Sequence, residues 1–355
     1  MRDFGGLVER APRRVVRPRS ARDVAAAMPG AVPRGCGHSD DGRSLTAGTL
    51  LDMRAMAAVG EVRPGRVAVE AGATWREVLD ATLPHGLAPP VLTDHLDLTV
   101  GGTLSAGGIG GSSHRHGTQA DNVLDLEVVT PDGAVTPCSP ATRPELFDAV
   151  RAGAGRHGVI TRATLRLVAV PARVVSCKIP CPGAAALLDR QRAVDAPHVF
   201  GQAKPQDGPG WRYEFKAVLP AGSPLPEGAV EAEELPFPAF ADRMRPDVER
   251  LVALGEWRRP HPWQVVLLPA ARAAGVIERT LAETAPADIG LSGVVLVKRL
   301  VVRRVPNLRA PADPVLFGLL RTASPGGTPP DRMLAANRAL LERARAVGGV
   351  PYPPA

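Results

Sequence analysis

Gly153-Ala154-Gly155-Arg156-His157-Gly158 spells G-x-G-x-x-G, and what flanks it decides the fold. The dinucleotide-binding form of this motif needs a strand before the glycines and a helix after them, so that the helix N-terminus meets a pyrophosphate. Here the order is inverted. Before it, Pro144 to Val150 places Leu146, Phe147 and Val150 on one helical face. After it, Ala163, Leu165 and Leu167 alternate with Arg162, Thr164 and Arg166, the period of a strand. The glycines therefore make a tight helix-to-strand turn, and a Rossmann arrangement is excluded.

The same mixture extends outward. Ser20 with Asp23, Thr74 with Glu77 and Thr142 with Glu145 have capping-box spacing and each opens a helix. In the second, Trp75, Val78, Leu79 and Thr82 share a face and Gly86 follows the end. Strands are expected at Val67 to Glu70 and at Leu124 to Thr130, the latter turning through Pro131-Asp132-Gly133 into Ala134 to Cys138. With no regular βαβ rhythm, the class is α+β. From about Arg173, Pro and Gly crowd Gly201 to Gly210 and Pro220 to Pro238, while Tyr213 to Leu219, Val265 to Leu268 and Val294 to Val302 look like strands. This implies a second domain with long loops. Asp331 is expected to cap a last helix with Leu334, Leu341 and Ala344 on one face.

Composition excludes several functions. The chain of 355 residues is 45% hydrophobic and 22% charged, enough for real cores and incompatible with disorder. No run approaches a membrane span, and Met1 to Pro18 lacks an apolar signal core, so a soluble, unexported, cytoplasmic protein is expected. The formal charge is +7, yet only Lys178, Lys204, Lys216 and Lys298 are lysines and 39 residues are arginine, a skew of genome composition. With aromatics at only 4%, a nucleic-acid partner is not expected. Cys177 and Cys181, spaced C-x3-C, have no second pair or His-x3-His, so no zinc or other metal site is expected beside Cys36 and Cys138.

Two further Gly-rich segments, Arg34 to Ser39 (RGCGHS) and Thr99 to Gly111 (TVGGTLSAGGIGG), allow positive φ and convergence of backbone N–H groups on an anion. Their order and spacing, with LLDM at Leu50 to Met53, GLAPPVLTDHLDL at Gly86 to Leu98, HRHGTQADNV at His114 to Val123 and GRHGVITRATLRL at Gly155 to Leu167, resemble the flavoprotein superfamily named after vanillyl-alcohol oxidase and p-cresol methylhydroxylase. Within it the chain most resembles the cytokinin dehydrogenase family. GEWRRPHPW at Gly255 to Trp263 and LFGLLRTASPGG at Leu316 to Gly327 carry the likeness downstream.

The resemblance implies a PCMH-type FAD-binding domain of two subdomains over residues 1–172, a smaller α+β substrate domain over 173–315, and a segment 316–355 returning to the FAD domain. It implies FAD held by Arg34, Gly35, Cys36, Gly37, His38 and Ser39, by Thr93 and Asp94, by Thr99, Val100, Gly101, Gly102, Thr103 and Ser105, and by Gly108, Ile109, Gly117, Val159 and Ile160. The family's flavin-linked histidine maps to His38, and a second cysteinyl tether would need a Cys near Asp97, where there is none. The family's catalytic aspartate maps to Asp94, a base if burial raises its pKa; the plainer alternative is a turn-capping Asp beside Thr93. For His95, His114 and His116 the expectation is a structural or cofactor-adjacent role.

Two departures stand out. Where the family has a substrate-holding glutamate this chain has Lys216, with Glu214 two residues earlier on the same strand face. If Lys216 faces the flavin, the site favours a carboxylate, carbonyl or other acceptor; if Glu214 does, cytokinin-like amines remain open. The family also continues past this chain's last residue with a segment over the flavin, so the expectation is either a truncated chain or a more open site. The expected activity is FAD-dependent oxidation of a small molecule at a C–H beside nitrogen or oxygen, with O2 or a quinone-like compound as acceptor. An alcohol or sugar oxidase, or a redox-silent cyclase or binding protein on the same scaffold, are the rivals.

Overall fold

The computed structural model describes residues 1–206, 208 and 210–354. Helices and strands alternate irregularly, and four sheets organise them. Near the N-terminus a three-stranded parallel sheet runs in the order Arg14–Val16, Thr49–Asp52, Val32–Arg34. Helix Ala21–Ala26 packs beside it, capped by Ser20, whose hydroxyl accepts from the Asp23 N–H as its spacing implied.

The next unit is an antiparallel sheet in the order Arg66–Glu70, Val159–Arg166, Val123–Val129, Val135–Cys138. Helix Trp75–Thr82 closes one side with the complete Thr74/Glu77 capping box and buries Trp75, Val78, Leu79 and Thr82. The Gly153 to Gly158 segment joins helix Pro144–Val150 to strand Val159–Arg166, a helix-to-strand turn. Thr142 does not cap that helix. Its N-cap is Arg143 in the left-handed region with no side-chain bond, because Thr142 is already turned into a loop in which its N–H donates to the Ser139 hydroxyl.

The largest sheet has eight strands in the order Glu231–Pro236, Arg173–Cys181, Trp211–Pro220, His198–Pro205, Val294–Arg299, Pro314–Leu320, Gln264–Pro269, Val350–Tyr352. One face packs on helices Ala184–Ala193, Ala270–Ala282 and Pro330–Arg345 through a core that includes Cys177, Phe215, Val297, Phe317, Leu187, Ile277 and Leu340. Two stretches read as loops are regular in part. Gly201 to Pro205 ends strand His198–Pro205, with Asp207 and Pro209 outside the described residues, and the Pro220 to Pro238 run contains strand Glu231–Pro236. Glycine fits there because a Cβ on Gly201 would meet Leu187 and Gln191 of the covering helix at 2.8 Å.

The last helix buries Met333, Asn337, Leu340 and Ala344, one position out of register with the expected Leu334 and Leu341, and Asp331 lies in its first turn behind the N-cap Pro329. The shift follows a polar anchor: Asn337 accepts from buried Arg321 and donates to the Pro262 carbonyl. The expected 315/316 boundary falls inside strand Pro314–Leu320, which pairs on both sides within the large sheet. No helix among the described residues is long and apolar enough to cross a membrane.

Candidate functional site

The strand Val32–Arg34 runs out into Gly35-Cys36-Gly37-His38-Ser39 at the edge of the parallel sheet. This loop abuts the turn that starts helix Val100–Ala106, so closely that a Cβ on Gly35 would meet the Thr99 hydroxyl at 2.0 Å. Gly37 has φ of +75°, and a Cβ there would strike the Arg34 guanidinium. The two Gly-rich segments are thus one surface. Arg34 is folded back by donating to Ser44 and to the Arg2 carbonyl, and Ser39 bonds Ser44 at 2.6 Å.

His38 ends the loop inside an aromatic stack. Phe4 lies between its imidazole, at 3.8 Å between ring centres, and that of His261, at 4.3 Å. Trp257 and Trp263 stand at 5.7 and 5.8 Å from His38, and His95 at 5.2 Å. Burial, with His95 and His261 beside it, pushes His38 down to about 3, so the imidazole is neutral. The segment Gly255 to Trp263 is thereby brought onto the His38 loop.

Several expected cofactor residues also make bonds within the chain. Thr103 accepts from the Trp75 indole and donates to the Val100 carbonyl, and Ser105 donates to Gly101. Gly108 N–H donates to the Tyr352 hydroxyl at 3.1 Å, next to Ile109. Gly117, at positive φ, packs against Asp121, and the side chains of Val159 and Ile160 are buried in the core, leaving only backbone to offer. His114 is structural, bridging the carbonyls of Gly111 and Ala196.

FAD fits this surface through its unpaired polar atoms: the Trp263 indole N–H beside His38 and the Gln119 Oε1 near Gly108 are buried and have no partner among the described residues.

Asp94 follows Thr93, whose hydroxyl donates to the His95 carbonyl. Its carboxylate is not free: Lys298 Nζ lies 2.7 Å from Oδ2, and Arg243 donates to Oδ1. Burial alone would raise Asp94, but these two cations hold it well below the usual carboxylate range. The expectation of a raised pKa is overturned, because its partners come from 149 and 204 residues away and no local pattern names them. The neighbour of Arg243, Asp242, pairs in turn with Arg76 at 2.7 Å, so two adjacent residues clasp Asp94 and Arg76 by opposite charges.

Beside Asp94 lies the second face of the large sheet, partly covered by Phe240 over Val174, Val218 and His198. The register pairs Lys178 with Lys216 and Lys216 with Phe200, and Phe200 is one position past the Gly201–Val297 pair, facing Lys298. Glu214 and Lys216 share this face and pair with each other: Glu214 Oε1 takes Lys204 at 3.0 Å and Lys216 at 3.7 Å. Burial, then Lys204, pulls Lys216 down against the opposing effect of Glu214. His198, on the same strand as Phe200, is held neutral by burial, with its Nε2 unpartnered among the described residues. Arg243, Lys298 and Phe200 are functional candidates that sequence reading missed; the rarity of lysine was the only available signal.

Comparison with known proteins follows the same lines. Residues 12–139 match the FAD binding domain family. An uncharacterized oxidoreductase, ORF5 in the fasciation locus of Rhodococcoides fascians, is 37% identical over 99% of this chain and 86% of its own. Cytokinin dehydrogenase 7 of Oryza sativa subsp. japonica is 34% identical over 81% of this chain and 68% of its own. Cytokinin dehydrogenase 10 of the same plant is 30% identical over 98% and 77%.

Proposed function

This chain belongs to the cytokinin dehydrogenase family of FAD-dependent oxidoreductases, within the vanillyl-alcohol oxidase and p-cresol methylhydroxylase type, and from that premise we propose that it oxidises a small molecule at a C–H next to nitrogen or oxygen on FAD attached through His38. The parallel and antiparallel sheets before residue 173 would be the two subdomains of the FAD-binding domain. The eight-stranded sheet would be the substrate domain, with Tyr352 and the Arg43 bonds to the Pro353 and Pro354 carbonyls as the return contact of residues 316–355.

Bound FAD supplies a two-electron acceptor for the hydride, and O2 or a quinone-like compound would take the electrons onward. The Arg34 to Ser39 loop and the Thr99 to Ser105 turn would hold the pyrophosphate side by backbone N–H groups, with Gly108 and Ile109 beyond them. His38 serves as the tether because a neutral imidazole keeps a lone pair for bond formation, and Phe4 and His261 hold its plane. Asp94, ionised and clamped, orients Lys298 and Arg243 and presents a carboxylate oxygen to a substrate N–H or O–H.

The observation that carries the reading is the neutral His38 in its ring stack at the junction of the two Gly-rich segments, one residue-length from the Asp94 clamp through His95. The purified protein should be yellow, bleach anaerobically with a substrate, and keep its flavin on the polypeptide after acid precipitation. His38→Ala should still bind FAD but release all of it in acid. Release of all flavin from the wild type would defeat the covalent tether, and a protein that never bleaches would favour the redox-silent rival.

A further inference from the structure

Three cations converge on one aromatic ring: Lys216 Nζ, Arg243 Cζ and Lys298 Nζ lie 5.2, 5.6 and 5.9 Å from the centre of Phe200. Charge counting around this ring leaves an excess. Lys298 and Arg243 share the single carboxylate of Asp94, and Lys204 and Lys216 share the single carboxylate of Glu214. Lys178 does not change the balance, since Glu231 neutralises it. Two positive charges therefore lack counter-ions, on side chains that are mostly withdrawn from water: 20% exposed for Lys216, 23% for Arg243 and 4% for Lys298. Cations held this far from solvent are stable only with anionic partners, and the ring beneath them adds only weak attraction.

We propose that the substrate of this site is a dianion, with a phosphate-monoester charge seated over Phe200 between Lys216 and Arg243, and with the C–H to be oxidised reaching from there toward His38. The proposal rests on the oxidation described above for the choice of reacting end, and on the charge excess alone for the anion. Both surplus charges sit on donors: an ammonium has three N–H groups and a guanidinium five in a fixed fork, and the latter suits tetrahedral oxyanions. A neutral adenine-type amine offers them ring-nitrogen acceptors but no charge to balance their own, which makes Lys216 a specificity determinant as well as a departure from the family's glutamate.

Isothermal titration calorimetry on the flavin-loaded protein at low salt tests this with phenyl phosphate and benzoate, which share a ring and differ in charge. Phenyl phosphate is expected to bind at least about tenfold more tightly than benzoate. Lys216→Gln should weaken phenyl phosphate by roughly 10- to 100-fold, the range for a lost charged hydrogen bond. Lys216→Arg should restore most of the affinity, and Arg279→Ala, on an exposed helix face far from the ring, should leave it unchanged. Equal affinities for the two probes, no binding at millimolar phenyl phosphate, or indifference to Lys216→Gln would each overturn the proposal. Anaerobic bleaching keeps the two readings apart: calorimetry as expected with no bleaching by any amine or alcohol would sink the oxidation and leave the anion site standing.

Discussion

Replacing Asp94 by asparagine removes one negative charge from between two positive ones without changing shape. In the intact clamp Lys298 is almost fully buried, Arg243 is about a quarter exposed and the carboxylate 30% exposed. Deleting one partner of a fully buried pair costs about 3–5 kcal/mol, and an exposed pair is worth about 0–1 kcal/mol. Asp94 falls between these limits, so the loss is about 1–3 kcal/mol. At about 2–4 °C per kcal/mol for a large domain, Tm should fall by roughly 2–12 °C. Differential scanning fluorimetry of the flavin-loaded protein reads it directly. The sign of the pH dependence follows from the depressed pKa. Such a group contributes stability that is fully present above its unfolded value of about 3.9 and is lost only as pH falls through its lower folded value. Between pH 5 and 8 the gap between wild type and Asp94→Asn should therefore be flat, and wild-type flavin reduction should show no acid limb from Asp94. A Tm within about 1 °C of wild type would refute the clamp, as would a gap that closes on going from pH 8 to 5, since either means that Asp94 is not held ionised by its partners.

Two further outcomes probe the surroundings of the flavin site. Phe4→Ala removes the ring between His38 and His261 and should lower the fraction of flavin retained after acid precipitation while leaving total bound flavin nearly unchanged; an unaltered retained fraction throughout a reconstitution time course would dismiss Phe4 as a positioning residue. Tyr352→Phe leaves the Gly108 N–H without its acceptor, at a cost of about 1–3 kcal/mol, and amide exchange at Gly108 should quicken; exchange at the wild-type rate would show the bond to be dispensable.

What was legible in the chain was local or short-range. The Thr74/Glu77 box, the alternation after Gly158 and the inverted G-x-G-x-x-G are settled by a few neighbouring residues, and the structure reproduces them. The helix at Pro144 shows where local rules stop: Thr142 has the right spacing, but the Ser139 turn claims its backbone first. The Gly201 run reads as a loop by composition, yet Gly201 to Pro205 belong to a strand, and Gly201 is glycine because a helix packs against it too closely for a side chain. At the site, the glycine loops and His38 announce themselves by residue type, while the clamp on Asp94 does not. Arg243 is one arginine among 39, and nothing near it in sequence separates it from those on the surface.

Lysine is scarce in this chain, and all four lysines lie on one face of one sheet: Lys178, Lys216 and Lys298 on the Phe200 rung and Lys204 four residues along the same strand. To a reagent that attacks primary amines, the molecule therefore presents little beyond its N-terminus and this single patch, because guanidinium groups do not react. Burial lowers the pKa of Lys216 and so enlarges its neutral, nucleophilic fraction, whereas Lys298 is shielded. Gentle reductive methylation or acylation would thus act as a footprint of this one sheet face, and any compound that settles there would announce itself by the amines it protects.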